Sequence, residues 1–284
     1  MPEPTFALAL GGGGARGLAH VHVIEALDEL GIRPTVIAGS SIGALMGAGM
    51  AAGMSGSDIR DYARAVFARR LSVAGRVWKA RPTSFGEMFA GGFRLGQFNI
   101  ERVLTAFMPP ALPATFEELK IPLKVTATDF FGHKLAVFES GPLNSALAAS
   151  AAIPALFRPV RRDDMLLIDG GIYNPVPFDL VESQADITIA IDVVGAPGGV
   201  RRRARPNAVD LMFGASQLMM QSIVEMKLAR RRPDIFLRPP VGGFRVLDFL
   251  KADSVLAETA SFKDEVKHAI DAAIARRGLP EARA

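Results

Sequence analysis

The pentapeptide Gly39-Ser40-Ser41-Ile42-Gly43 follows the apolar run Val36-Ile37-Ala38 and precedes a long stretch of small and apolar residues with helical character. No other feature constrains the chain as much. A G-x-S-x-G sequence in that context is a sharp strand-to-helix turn: the flanking glycines remove Cβ atoms that would collide, and the central hydroxyl projects above the sheet edge at a helix N-terminus. The first amides of that helix then face any negative charge that develops there. With 28 glycines in 284 residues the motif alone is weakly specific, so the strand before it and the helix after it carry the assignment.

The preceding segment has the same alternation. Phe6 to Leu10 reads as a strand and Gly11 to Gly14 as a turn; Leu18, Val21, Ile24 and Leu27 recur at helical spacing until Gly31, and Thr35 to Ala38 reads as the next strand. Further strands are predicted at Leu123 to Thr128, Leu135 to Phe138, Leu166 to Ile168, Ile187 to Val193 and Ile235 to Leu237, with helices between several of them. Such alternation predicts an α/β sheet covered on both faces.

Two regions break the pattern. Leu71 to Pro113 is rich in glycine, proline and scattered aromatics (Trp78, Phe85, Phe89, Phe93, Phe98) and reads either as a cap over the site or as a packed irregular loop. Gly195 to Pro206 reads as a flexible loop. After it, Ala208 to Arg231 is predicted to be a long helix whose Met212, Met219 and Met226 lie on a core face, as Met46, Met50 and Met54 do on the helix after Ser41. The run Phe262 to Arg277 is amphipathic and is expected to pack on the body, with 278 to 284 frayed. Together these features predict one domain over residues 5–277, with 71–113 as the candidate cap.

A 49% hydrophobic content excludes a disordered chain, and the absence of cysteine excludes disulfides, thiolate catalysis and cysteine metal sites. The uncharged stretch Pro34 to Ser57 is interrupted by glycine and serine and is too short in its helical part to span a bilayer. With no basic leader pattern at the start of the chain, a cytoplasmic protein is expected. The net formal charge is +4, with arginines clustered at Arg201-Arg202-Arg203-Arg205 and Arg230-Arg231-Arg232. These read as solvated surface or as contacts to an anionic membrane; no recognition motif for nucleic acid accompanies them.

A nucleophilic serine needs oxyanion donors and a base. Gly11-Gly12-Gly13-Gly14-Ala15-Arg16-Gly17 follows the first strand and opens the first helix, so its amides can face an anion unobstructed. Gly12, Gly14 and Gly17 also satisfy G-x-G-x-x-G, but a dinucleotide site needs an acidic residue at the end of the second strand, where this chain has Gly39-Ser40-Ser41. Of the four histidines, only His268 comes late enough for a Ser-Asp-His order, and it sits off the apolar stripe of its helix. A direct carboxylate partner is therefore attractive. Asp129, Asp169 and Asp192 each end an apolar run; only Asp169 is followed by two glycines, Gly170 and Gly171, which suit a crowded site, whereas Asp129 and Asp192 read as turn closers.

This combination resembles the patatin-like phospholipase family. The family's glycine-rich loop, G-x-S-x-G elbow and D-G-[AG] motif occur in order as Gly12 to Gly17, Gly39 to Gly43 and Asp169-Gly170-Gly171, accompanied by Gly17-Leu18-Ala19-His20, Thr128-Asp129, Ser150 to Pro154, and Asn174-Pro175-Val176-Pro177. The resemblance covers residues 5 to 195; it departs in having His22 where relatives often have glycine. It implies a patatin-like three-layer fold with a central, mostly parallel sheet, and a Ser41–Asp169 dyad that cleaves acyl esters of lipids without a metal or other cofactor. The expected oxyanion loop spans Gly12, Gly13, Gly14, Ala15, Arg16 and Gly17, with the Gly12 to Gly14 amides as donors and Arg16 either bracing the loop through backbone carbonyls, the favoured role, or orienting a phosphate. Expected partners are the lipid substrate and, transiently, an anionic membrane surface. The alternatives are a regulatory or acyl-lipid-binding protein of the same fold and, more remotely, a nucleotide-dependent oxidoreductase.

Overall fold

The computed structural model describes residues 3–68, 98–195 and 208–278. Eight strands form one sheet: β1 (Phe6–Leu10), β2 (Val36–Ser40), β3 (Leu123–Asp129), β4 (Lys134–Phe138), β5 (Val160–Arg162), β6 (Met165–Asp169), β7 (Ile187–Ile191) and β8 (Ile235–Leu237). The order β3-β2-β1-β7-β8 is parallel throughout, and β4, β6 and β5 extend the β3 side in antiparallel pairings. Around it lie helices α1 (His20–Glu29), α2 (Ile42–Ala51), α3 (Gly56–Ala68), α4 (Ile100–Phe107), α5 (Leu143–Ser150), α6 (Ala208–Arg230), α7 (Ala252–Glu258) and α8 (Phe262–Arg277).

Strand periodicity divides the core. Leu8, Leu10, Ile37, Ile189 and Ile191 point to one side, into the large cluster formed with α1, α2, α5, α7 and α8. Ala7, Ala9, Ala38 and Ala190 point to the other, where small side chains allow Val176, Phe178 and Val181 and the α6 residues Val224 and Leu228 to pack close. The central strands are therefore buried on both faces, as their unbroken apolar sequence requires.

Strand β3 arranges the site. Its one edge is shared end to end by two strands: β2 runs parallel to it as far as Ser40 opposite Thr126, and β6 approaches from the other direction, antiparallel, with Asp169 opposite Ala127. Strand β4 takes the opposite edge over Val125 to Asp129. The C-termini of β2 and β6 thus meet head to head at successive β3 residues. Thr128 Oγ1 donates to the Asp169 carbonyl at 2.9 Å and Thr126 Oγ1 to the Gly39 carbonyl at 3.3 Å, so β3 side chains fasten both ends.

The predicted strands are present, with β7 ending at Ile191 rather than Val193, and β5 is an addition that the sequence reading lacked. Within the candidate cap, Trp78, Phe85, Phe89 and Phe93 lie outside the described residues, as do Arg201, Arg202, Arg203 and Arg205. Residues 98–113 belong to the body: Phe98 bridges Phe157, the Asn99 side chain caps α4 by accepting from the Arg102 amide at 3.0 Å, and Ile100 and Leu104 enter the main core.

Helix α6 corrects the reading of its methionines. Met212, Met219 and Met226 are 43%, 61% and 65% exposed, while Gln217, Val224 and Leu228 are the buried positions. A seven-residue period locates a stripe but not the side it turns to, and this helix carries apolar residues on more than one side. Met46 and Met50, by contrast, are buried as expected.

Gly170 follows directly on the β2–β6 meeting point, and a Cβ there would stand 2.3 Å from the Thr126 carbonyl oxygen. Because the obstacle is sheet backbone, Gly170→Ala is expected to cost about 1–3 kcal/mol, read as a lowered urea midpoint at unchanged slope.

Candidate active site

Ser41 is the N-cap of α2 with φ 53° and ψ −122°, a left-handed conformation that an L-residue adopts only under constraint. Three contacts supply the constraint. A Cβ on Gly43 would lie 2.1 Å from the Leu10 carbonyl oxygen, so only glycine lets the turn press against β1. Gly39 is equally confined, since a Cβ there would lie 2.5 Å from the Ala44 Cα. The Ser41 amide donates to Ser150 Oγ at 2.8 Å, at the C-terminus of α5.

The Ser41 hydroxyl donates a 2.6 Å hydrogen bond to Asp169 Oδ2, and the Gly171 amide donates to Oδ1 at 2.8 Å. The carboxylate is therefore held at both oxygens, one of them by the backbone of its own loop. Gly171 is tightly placed as well, since a Cβ there would come within 3.0 Å of Asp169 Oδ1. Burial raises the Asp169 pKa to about 6, against the opposing pull of the hydrogen bonds from Ser41 and Gly171. At neutral pH it is mostly ionised, yet basic enough to accept a proton.

The glycine loop runs beside the serine, with a Cβ on Gly12 only 3.3 Å from Ser41 Cβ. The Gly12 amide, one of the three expected donors, is committed to the Pro175 carbonyl at 2.9 Å, and that of Ala15 to Val246 at 2.8 Å. The Arg16 and Gly17 amides lie inside the 3-10 turn Gly14–Ala19. Gly13 and Gly14 line the cavity, and their N–H groups have no acceptor among the described residues. Gly14 has φ 60°, and a Cβ there would strike the Val246 carbonyl at 2.2 Å.

The loop is braced from behind. Arg16 is buried, and its guanidinium donates to the carbonyls of Phe244 (2.9 Å) and Val194, away from the serine, as the bracing reading requires. Burial lowers its pKa to about 10, with Asp192 and Asp248 opposing, so it stays protonated. His20 Nε2 donates to the Gly11 carbonyl at 2.9 Å, and complete burial lowers its pKa to about 4, leaving a neutral ring. Lys227 of α6 donates to Asn174 Oδ1 and to the Val176 carbonyl, fixing the stretch whose Pro175 carbonyl holds Gly12.

No histidine joins the pair. His22 is tied to the Leu256 carbonyl and Glu25, His133 occupies the β3–β4 turn at φ 51°, and His268 is exposed on α8. Asp129 accepts from the Gly132 amide and Asp192 from the Val194 amide, which makes both turn closers. Ser40 is fully buried at the end of β2, whereas Ser41 lines the cavity together with Asp169, Ile153, Pro154, Ile172 and the α6 residues Met212, Phe213 and Met220. The supports Ser150, Pro175 and Lys227 escaped the sequence reading in these roles, because each acts on a partner far away in the chain.

Removing the Ser150 hydroxyl strands a buried amide at the strained turn. Ser150→Ala is expected to lose about 1–3 kcal/mol of stability, measured by urea denaturation, and Ser150→Thr to recover part of it.

Comparisons with known proteins bear on the family and the fold. Over 206 residues the chain is 38% identical to the Uncharacterized NTE family protein Rv1063c of Mycobacterium tuberculosis, covering 72% of this chain and 53% of that protein. It is 31% identical to Patatin-like phospholipase domain-containing protein 7 of Rattus norvegicus, over 88% of this chain and 20% of that one. The chain thus spans about half the length of the first relative and a fifth of the second. In structure it is similar to VipD from Legionella pneumophila, with a TM-score of 0.51 at 14% identity, over 94% of this chain and 67% of that one, which bears on the fold alone. The family described as Patatin-like phospholipase matches residues 8–181, from β1 through the elbow and the aspartate loop, and the chain belongs to that family.

Proposed function

We propose that the protein is a serine acyl hydrolase that cleaves acyl esters of lipids, phospholipids included, through an acyl-enzyme on Ser41. The observation that carries this reading is the 2.6 Å hydrogen bond from Ser41 to Asp169 at an apolar cavity bordered by the Gly13 and Gly14 amides. As Ser41 Oγ attacks the ester carbonyl, its proton passes to Asp169, and the carbonyl oxygen becomes an oxyanion facing Gly13 and Gly14. Collapse of this intermediate expels the alcohol, which takes up the proton from Asp169. Water then attacks the acyl-enzyme with Asp169 again as base, releasing the fatty acid and restoring the serine hydroxyl. The positive end of α2 at Ser41 adds to oxyanion stabilisation, and losing one such donor typically costs ~3–4 kcal/mol of barrier.

The apolar lining supports an acyl chain rather than a polar substrate. We place the reaction at an anionic membrane surface met transiently from the cytoplasm, a reading supported by the net formal charge of +4. No helix among the described residues is long and apolar enough to cross a membrane.

A fluorophosphonate probe should label wild type and not Ser41→Ala. Asp169→Asn should fold with stability at pH 7 no lower than wild type, because it removes a costly buried charge, yet lose turnover by several orders of magnitude. Alanine at His22, His133 or His268 should leave the chemistry largely in place in folded protein, and His20→Ala, which removes a support of the glycine loop, should lower turnover without abolishing it. Labelling on Ser40, or turnover abolished by one histidine substitution in a folded enzyme, would overturn the assignment; acyl-lipid binding without any turnover would favour the binding-protein reading.

The base must be ionised to accept the serine proton. Since the Asp169 pKa is raised to about 6, kcat/KM on a soluble ester is expected to fall as pH drops through that value and to plateau above it. A rate limb near the ordinary carboxylate range, or one retained in Asp169→Asn, would place the base elsewhere.

A further inference from the structure

Among the described residues, the exposed apolar surface is concentrated on the segments that line the cavity. Nine of the twelve exposed large hydrophobic side chains among the described residues lie on three such segments. The loop after Asp169 contributes Ile172, itself a cavity residue, and Tyr173, 37% and 47% exposed. The segment after the cavity residue Val246 contributes Leu247 and Leu250. Helix α6 contributes the remaining five.

On α6, the exposed positions run Leu211, Met212, Ala215, Leu218, Met219 and Ser222, continuing to Glu225 and Met226. This outward side carries one charge from Leu211 to Met226, where the solvated face of a helix would carry several. Met212 belongs to both surfaces, lining the cavity while remaining 43% exposed, so cavity and outer stripe are continuous.

We infer that this apolar rim is the face that docks on a lipid surface, with α6 lying along the interface and the cavity opening into it. The inference rests on the reading of the cavity as a site for lipid acyl esters. Two observations favour a lipid surface over a second copy of the chain. Pairing through α6 alone would use the helical stripe but leave Tyr173, Leu247 and Leu250 unexplained, whereas a lipid surface accounts for all three segments and for their common border with the cavity. The second is the cations on the same rim: Arg245 and Lys251, with side chains 77% and 56% exposed, flank Leu247 and Leu250, and their surface pairs with Asp210 at 3.8 Å and Asp248 at 2.9 Å are of a kind that headgroup phosphates can replace. Tyr173 supplies the amphipathic ring that such boundaries favour.

The test separates binding from turnover. Ser41→Ala protein is floated with vesicles of phosphatidylcholine alone and of phosphatidylcholine and phosphatidylglycerol in equal parts, at low and high salt. The same measurement is made with Leu218→Glu/Met219→Glu added, two positions outside the cavity lining. The Ser41→Ala protein should float with both vesicle types, more strongly with the anionic one and less so as salt rises, and the double substitution should weaken flotation at least about tenfold. In the Ser41 background the double substitution should lower hydrolysis of vesicle lipid by a similar factor while sparing a short monomeric ester, and circular dichroism should confirm the fold. No flotation with either vesicle, or flotation indifferent to the double substitution, would overturn the inference. So would a wild-type dimer in light scattering that the double substitution converts to monomer, which would assign the face to a second copy. If no ester were hydrolysed while flotation followed the expected pattern, the proposed activity would fail and the docking surface would stand.

Discussion

Strand β3 holds the candidate site together because one of its edges serves two strands. A sheet edge normally accepts one neighbour; here β2 stops at Ser40 and β6 stops at Asp169, one β3 residue further along. Backbone hydrogen bonding fixes that register, since a slip of one residue would turn every side chain of β6 to the other face. The Ser41–Asp169 hydrogen bond is thus a consequence of sheet pairing between segments 128 residues apart. Thr126 and Thr128 add side-chain bonds at the two strand ends, and Gly170 leaves room for the chain to pass Thr126. Asp169 ends one strand and Ser41 follows directly on the end of another, so a single sheet positions both members of the pair.

Around that pair the structure contains costs that packing must offset. Ser41 is held at positive φ, and Asp169 is a buried carboxylate with no cationic partner among the described residues, compensated by hydrogen bonds from Ser41 and Gly171. Gly13 and Gly14 line the cavity, and their amides have no acceptor among the described residues. Each feature would be relieved by a small backbone movement. The buried supports Arg16, His20, Ser150 and the Pro175 carbonyl oppose that movement by fixing the peptide groups on either side. In the proposed reaction this rigidity is useful, since donors already in place need no reorganisation as charge develops.

Helix α6 links the interior to the outer surface. Its buried side closes the second face of the sheet through Val224 and Leu228, and Lys227 pins the stretch that holds Gly12. Gln217 and Gln221 donate to the carbonyls of Val194 and Gly195, tying the helix to the chain after β7. Its N-terminal half lines the cavity, and its outer stripe is apolar.

The Gly170-Gly171 context and the family resemblance singled out Asp169 among three aspartates that end apolar runs, and local pattern alone marked most strands and helices and the elbow at Ser41. These were legible because they rest on local sterics: glycine spacing, period-two and helical apolar patterns, and turn residues act over a few positions. Arg16 stood open between orienting a phosphate and bracing the loop, and its bonds to the distant carbonyls of Phe244 and Val194 are those of a brace. Only the tertiary structure decided which amides of the glycine loop stay free, since the acceptor for Gly12 comes from Pro175 and that for Ala15 from Val246. It also decided that Ser150 holds the Ser41 amide, that residues 98–113 join the body, and that Met212, Met219 and Met226 face outward. Hydrogen-bond partners distant in the chain depend on strand register, and the orientation of an apolar stripe depends on what packs opposite it; neither is written in local spacing.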